Sequence, residues 1–222
     1  MRVVGLVPSK LNSRRLERKN VRPLGGTPLV NHVLRTLSDV DEVDEIVVFA
    51  SSGEIMTFVD ATIECVFVER PEHLDDDAAA IEDVIEEFLT RVSGDVVVLL
   101  HITSPFISTS TVRACIDSVT SGRFQSAFAA LEMARFAWFG GAPLNYDPSL
   151  PTPRTQDLEP VLVEQSGLYV FTRELFETTR RRVAERPYIH VVDPIEGHDI
   201  DTETELELAE AIAQARVCGA GS

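Results

Sequence analysis

Apolar residues fall along this chain in short blocks, and the blocks alternate between two periods. Val3-Val4-Gly5-Leu6-Val7 is apolar at every position. A segment with no polar face belongs inside a parallel sheet covered on both sides. Ile46–Ala50 and Asp95–Leu100 share this character, and Ile63–Val68, Gln125–Met133, Gly167–Phe171 and Tyr188–Val192 are further strand candidates. Between them the spacing becomes helical: Leu29, Val30, Val33, Leu34 and Leu37 follow Pro28, residues 78–90 carry Ile81, Val84, Ile85, Phe88 and Leu89, and residues 109–119 carry Val112, Ile116 and Val119. Glu54–Val59, Arg173–Val183 and Thr202–Ala215 complete the helices. Strands alternating with helices predict an α/β fold with a doubly wound, mostly parallel sheet in a single domain, 1–222. Across 135–160 the pattern dissolves into Pro, Gly and aromatic residues, which reads as an insertion of hairpin or loops. Ligands in such folds sit outside the carboxyl ends of the strands. The loops after Val7, Leu100 and Val192 are therefore the places where chemistry is expected.

Charge sharpens that expectation. The 222 residues carry a net charge of −16, which argues against a nucleic-acid partner because phosphate backbones need a basic face. Yet Lys10, Arg14, Arg15, Arg18, Lys19 and Arg22 crowd the first loop with Glu17 as their one acid, so that stretch is +5 and the rest −21. Such a concentration suits an anionic ligand, although a solvated loop also accommodates it. No apolar run is long enough to span a bilayer, and nothing resembles a signal peptide. Cys65, Cys115 and Cys218 lack the spacing of a disulfide framework or zinc site. A cytoplasmic protein with reduced thiols is expected.

Three segments carry candidate chemistry. The first loop, Pro8 to Asn20, is neither a Walker loop nor GxGxxG. A triphosphate needs several cations converging on its oxygens, and Ser9, Lys10, Arg14 and Lys19 supply polar and charged groups for one. The second segment, His101-Ile102-Thr103-Ser104-Pro105, follows the most apolar strand. Its His101, Thr103 and Ser104 suit hydrogen bonds to a base or sugar edge, and equally an ordinary strand-end turn. In the third, Asp199 and Asp201 are two apart and project to one side of an extended segment. A pair of this kind suits Mg²⁺. It also suits a helix N-terminus, since Thr202-x-x-Glu205 is a capping box.

Taken in order, Val-Pro-Ser-Lys-Leu-Asn-Ser-Arg-Arg-Leu-Glu-Arg-Lys-Asn, Pro-Leu-Gly-Gly-Thr-Pro-Leu-Val, Leu-Leu-His-Ile-Thr-Ser-Pro, Ser-Gly-Leu-Tyr-Val-Phe and Asp-Ile-Asp-Thr-Glu resemble the cytidylyltransferases that make CMP-activated acidic sugars, above all the CMP-N-acylneuraminate synthetases. The resemblance implies a Rossmann-like nucleotidyltransferase domain that dimerises through an inserted segment, here about 135–160. It implies CTP and a 2-keto sugar acid as substrates and pyrophosphate as a product. By position it assigns Lys10, Asn12, Ser13, Arg14, Lys19 and Asn20 to phosphate contacts, Arg70 to the nucleotide, His101 to the acceptor sugar, and Asp199 and Asp201 to Mg²⁺.

The chain departs from the family where base and acceptor are read. Leu11-Asn12 replaces a small pair, Ala78-Ala79-Ala80-Ile81 stands where Ser or Thr is usual, and His101-Ile102 replaces Gln-Pro. Ile107 stands where an arginine often follows. Two other readings follow from these departures: transfer to a different acidic acceptor, such as a Kdo-like sugar acid or a phosphonate, and a non-catalytic nucleotide-binding paralogue.

Overall fold

The computed structural model describes residues 1–11, 16–76 and 78–219. Seven strands form one sheet: β1 (Val3–Ser9), β2 (Glu45–Ala50), β3 (Val66–Glu69), β4 (Val96–Leu100), β5 (Ser126–Met133), β6 (Val161–Thr172) and β7 (Tyr188–Val192). Their spatial order is β3-β2-β1-β4-β6-β5-β7. All pairings are parallel except those of β6, which runs against both β4 and β5. Five helices accompany them: α1 (Leu29–Ser38), α2 (Ile81–Arg91), α3 (Thr109–Thr120), α4 (Arg173–Thr179) and α5 (Glu203–Gly219). The expected α/β architecture is what the chain adopts.

Strand alternation divides the core in two. Val3 and Val7 of β1 join Val96, Val98 and Leu100 of β4 in a cluster with Leu34 and Leu37 of α1 and Val112 and Ile116 of α3. Val4, Leu6, Val97 and Leu99 point the other way, against Ile85 and Phe88 of α2 and Phe176 of α4. Burial on both faces explains why Val3–Val7 of β1 and all of β4 carry no polar position.

Several elements differ from the sequence reading: α2 begins at Ile81 rather than at residue 78, α5 runs to Gly219 rather than Ala215, and Glu54–Val59 is a 3-10 helix over Gly53–Phe58. β6 is longer than Gly167–Phe171 and bulges between Glu164 and Tyr169 where it pairs with β5. α4 ends at Thr179, where Arg180 takes a left-handed φ of 55°, rather than running to Val183. The third strand begins at Val66, because Ile63 is taken up in a turn whose N–H bonds to the Asp60 carbonyl.

Within 135–160 lies a small hairpin, Trp138–Phe139 paired with Ala142–Pro143 across Gly140-Gly141. Both glycines have positive φ, 59° and 82°, the backbone that a tight two-residue hairpin turn demands. Trp138 is 59% exposed and Phe139 80%. Among the described residues no helix is long and apolar enough to cross a membrane.

Candidate active site

The chain leaves β1 toward β2 and re-enters the sheet on the other side of β1 as β4. Their carboxyl ends therefore diverge at a topological switch point, the usual place for a ligand in such a sheet. A cleft of about 520 Å³ opens there. Ser9, Lys10, Lys19 and Asn20 wall it from the first loop, and Arg70 from the end of β3. His101 and Thr103 wall it from the end of β4, and Asp201 from the segment before α5.

The first loop is tied at both ends. Buried Asn20 donates through Nδ2 to Ser9 Oγ (3.1 Å) and to the Lys10 carbonyl (2.9 Å). Arg18, with φ 51°, ends the loop in the tight turn Lys19–Val21. Lys10 Nζ donates to the Asp75 carbonyl at 3.1 Å. Asn12, Ser13 and Arg14, the other residues expected at the phosphates, lie outside the described residues.

Lys19 Nζ lies 2.7 Å from Asp201 Oδ1, joining positions 182 residues apart. This places the expected phosphate cation on the expected metal carboxylate. In a solvent-facing cleft such a pair contributes only about 1 kcal/mol, so it positions both groups more than it stabilises the fold. Asp201 is also set by its backbone: its N–H and that of Thr202 both donate to Glu205 Oε2 at 2.8 Å. The Glu205 N–H returns to Thr202 Oγ1 at 3.4 Å, completing the capping box. These bonds hold the Glu205 carboxyl below its ordinary range, the Asp201 N–H contributing most. The acidic segment is therefore both a helix start and a cleft wall.

Asp199 does not share Asp201's partners. Its two oxygens accept from Ser104 Oγ (3.2 Å) and Ser166 Oγ (3.4 Å). Buried Ile200 separates the pair, and its N–H donates to the Thr103 carbonyl at 2.8 Å.

Ser104 departs from the expectation of an acceptor contact. It is fully buried, and besides reaching Asp199 its hydroxyl accepts from Gln165 Nε2 at 2.9 Å. A side chain so enclosed acts behind the cleft wall. Gly167 makes this arrangement possible, because a Cβ there would fall 2.1 Å from Ser104 Oγ. The Gly167 carbonyl accepts from the His101 N–H at 2.8 Å. Burial, followed by the charges of Arg182 and Lys19, pulls the His101 pKa down to about 4, against a smaller opposing effect of Asp201. His101 is therefore neutral at physiological pH and offers a hydrogen bond, not a charge.

Arg70 lines the cleft but is 5% exposed and already paired. Its Nε and Nη2 donate to Asp75 Oδ1 at 3.1 and 2.6 Å, while Ser51 Oγ holds the other Asp75 oxygen. Asp75 thus fixes Arg70 through its side chain and Lys10 through its carbonyl. Sequence reading missed Asp75, Gln165 and Ser166. Asp75 was hidden in Asp75-Asp76-Asp77, a run that reads as solvated charge. Ser166 opens the Ser-Gly-Leu-Tyr motif and Gln165 precedes it, so a signal for them was present.

The family model for cytidylyltransferases matches residues 4–222. The chain is 29% identical over 185 residues to an N-acylneuraminate cytidylyltransferase of Oncorhynchus mykiss, covering 79% of this chain and 42% of that protein. It is 25% identical to a CMP-N,N'-diacetyllegionaminic acid synthase of Legionella pneumophila, over 96% of this chain and 97% of that one. It spans about half or less of the length of the first curated relatives it matches. The fold is shared with a CMP:2-keto-3-deoxy-manno-octonic acid synthetase solved in complex with CTP, with a TM-score of 0.72 at 16% identity over 97% of this chain and 100% of that one. Sequence match and fold agree: the chain belongs to the cytidylyltransferase family, as a divergent relative of the CMP-sialic acid synthetases.

Proposed function

We propose that this protein transfers CMP from CTP to an acidic acceptor, a sialic-acid-like 2-keto sugar acid, and releases pyrophosphate. The observation that carries the reading is the convergence, in one cleft at the switch point, of Lys10 and Lys19 from the first loop with Asp201 from the far end of the chain.

An acceptor oxygen attacks the α-phosphorus in line, and the bond to the bridging oxygen of the β-phosphate breaks. Lys10 and Lys19 offset the charge gathering on the departing pyrophosphate, with Asn12, Ser13 and Arg14 of the same loop as further contacts. Asn20 ties its turn to Ser9 and Lys10, so Lys10 and Lys19 are in place before the substrate arrives. Arg70 packs beside the nucleotide, and Thr103 and neutral His101 offer hydrogen bonds on the acceptor side. Holding the two reactants in line carries much of the rate without a dedicated general base.

Among the described residues no cluster of three or more His, Cys, Asp or Glu could cage a metal. One or two carboxylates completed by phosphate oxygens and water is, however, the ordinary way to hold Mg²⁺, and Asp199 and Asp201 are hard oxygen donors on one short segment. The ion, when held there, would supply positive charge to the α-phosphate oxygens. The exposed aromatic hairpin is the surface through which a homodimer would form. The free Cys65 and Cys115 suit a reducing cytoplasm, burial pushing the Cys115 thiol up to about 12.

The test is pyrophosphate release from each of the four nucleoside triphosphates, with and without Mg²⁺, against N-acetylneuraminate, 3-deoxy-manno-octulosonate and simple phosphonates. Release with CTP, Mg²⁺ and a 2-keto sugar acid is expected. Turnover with phosphonates alone would replace the acceptor, and none with any acceptor would leave a nucleotide-binding protein.

A further inference from the structure

Arg180-Arg181-Arg182 reads in the sequence as a solvated run at a helix end. The structure separates its members. Arg180 pairs with Asp83 and Glu86 of α2, and Arg181 is exposed. Arg182 is half-buried, and its guanidinium carbon lies 4.0 Å from the centre of the Tyr169 ring. Among the described residues no carboxylate lies within ion-pairing distance of it.

Its seat lies behind the strand end that carries His101 and does not itself line the cleft. Tyr169 is 1% exposed and donates its hydroxyl to Glu164. The bulge between these two residues carries Gln165, Ser166 and Gly167 to Ser104, Asp199 and His101 respectively. Tyr169 lies opposite Leu99 of β4, two positions before His101. Arg182 also bonds toward the Tyr169 hydroxyl, and stacking leaves the remaining edge donors of a guanidinium available to a planar oxyanion. In a protein of net charge −16, a stacked cation without an acidic partner is suited to an anion from outside.

We propose that Arg182 is a specificity-determining residue, which from its seat on Tyr169 receives an oxyanion of the acceptor, a carboxylate or phosphonate group. This rests on transfer to an acidic acceptor and names the side chain that reads the acid. Consistent with that place, the charge of Arg182 helps to keep His101 neutral.

The experiment compares the full-length wild-type protein with Arg182→Gln, Arg182→Lys and, as a control on the exposed neighbour, Arg181→Gln. Steady-state constants are measured for CTP and for whichever acid supports turnover. Arg182→Gln is expected to raise the acceptor KM by about tenfold or more and leave the KM for CTP within about twofold, with Arg182→Lys intermediate and Arg181→Gln unchanged. An acceptor KM within about twofold of wild type in Arg182→Gln overturns the proposal. If that variant does not fold, Arg182→Lys decides on the same measure. Saturation-transfer NMR with N-acetylneuraminate, 3-deoxy-manno-octulosonate and phosphonoacetate separates binding from turnover. Wild-type binding that the glutamine variant loses supports the role of Arg182 even if no pyrophosphate is released, in which case only the transfer reading fails. Equal binding by both proteins, or none by the wild type, overturns it. The preferred acid in wild type distinguishes a carboxylate from a phosphonate.

Discussion

On the β1 side of the cleft, charges meet across the two ends of the chain. On the β6 side, neutral groups meet across neighbouring strands. The Lys19 and Asp201 side chains are partly buried at the cleft wall, where either can exchange its partner for a phosphate oxygen or a cation. Ser104, Gln165 and Gly167 are enclosed, and each polar atom there is already committed. The first side suits the charge that would change during the proposed transfer. The second is built to keep a shape, and His101 is held neutral upon it. Substitutions on the two sides should therefore fail differently: the first in turnover, the second in selectivity or stability.

The largest expected effect is on the charged side. Asp201→Asn should lower kcat by on the order of 100-fold or more while the melting temperature barely moves, because the lost ion pair is weak in the ground state. Pyrophosphate release across a Mg²⁺ titration measures this. Wild-type turnover at saturating Mg²⁺ would remove Asp201 from the chemistry.

Asp75→Ala tests the bridge between the sides. It strands the buried Arg70 guanidinium without its carboxylate, a loss of about 2–4 kcal/mol in stability. The KM for CTP should rise by about tenfold with the acceptor KM little changed. Chemical denaturation together with the two KM values separates the effects. A stable variant with an unchanged KM for CTP would show that Arg70 needs no such support.

A smaller effect concerns pH. His101 has a folded pKa of about 4 against an ordinary 6.5. Between those values the unfolded chain binds the proton and the folded one does not, so acid favours unfolding. The His101 contribution is complete above about pH 6.5 and falls away by about pH 4, with a size on the order of 3 kcal/mol. His101→Gln should flatten the decline of melting temperature across that window. Identical pH curves would mean that His101 titrates normally in the folded protein.

The smallest effect is expected at Ser104→Ala. Asp199 keeps Ser166 as a partner, so turnover should fall only about threefold, while the unsatisfied Gln165 amide costs about 1–2 kcal/mol. A drop as large as that of Asp201→Asn would place Ser104 in the chemistry after all.

Much of the architecture was legible because burial leaves a direct trace. Val3–Val7 and β4 read as buried strands since no polar residue survives between two covered faces, and α1 and α2 read as helices since their apolar residues repeat at helical spacing. Lys10, Lys19 and Asp201 stood out because charge concentrated in loops at strand ends is costly unless it serves a ligand. Ser104 was misplaced because a hydroxyl at a strand end looks the same whether it faces solvent or Gln165. The β6 bulge was missed because a register shift depends on the partner strand and leaves no periodicity of its own.

By itself, then, the sequence determined the α/β class, the strands that carry the cleft and the chemical kinds gathered around it, since these follow from local periodicity and charge. Tertiary structure alone decided which groups are spoken for: Arg70 by Asp75, Lys19 by Asp201 and Ser104 by Gln165 and Asp199. It also decided that Arg182 rests on Tyr169 without an acidic partner among the described residues, although Arg180, two positions earlier, has two. The physical reason is that a side chain's partners are set by distance in space: apart from Arg70 and Asp75, which are five residues apart, these groups are distant in the chain and meet only in the fold.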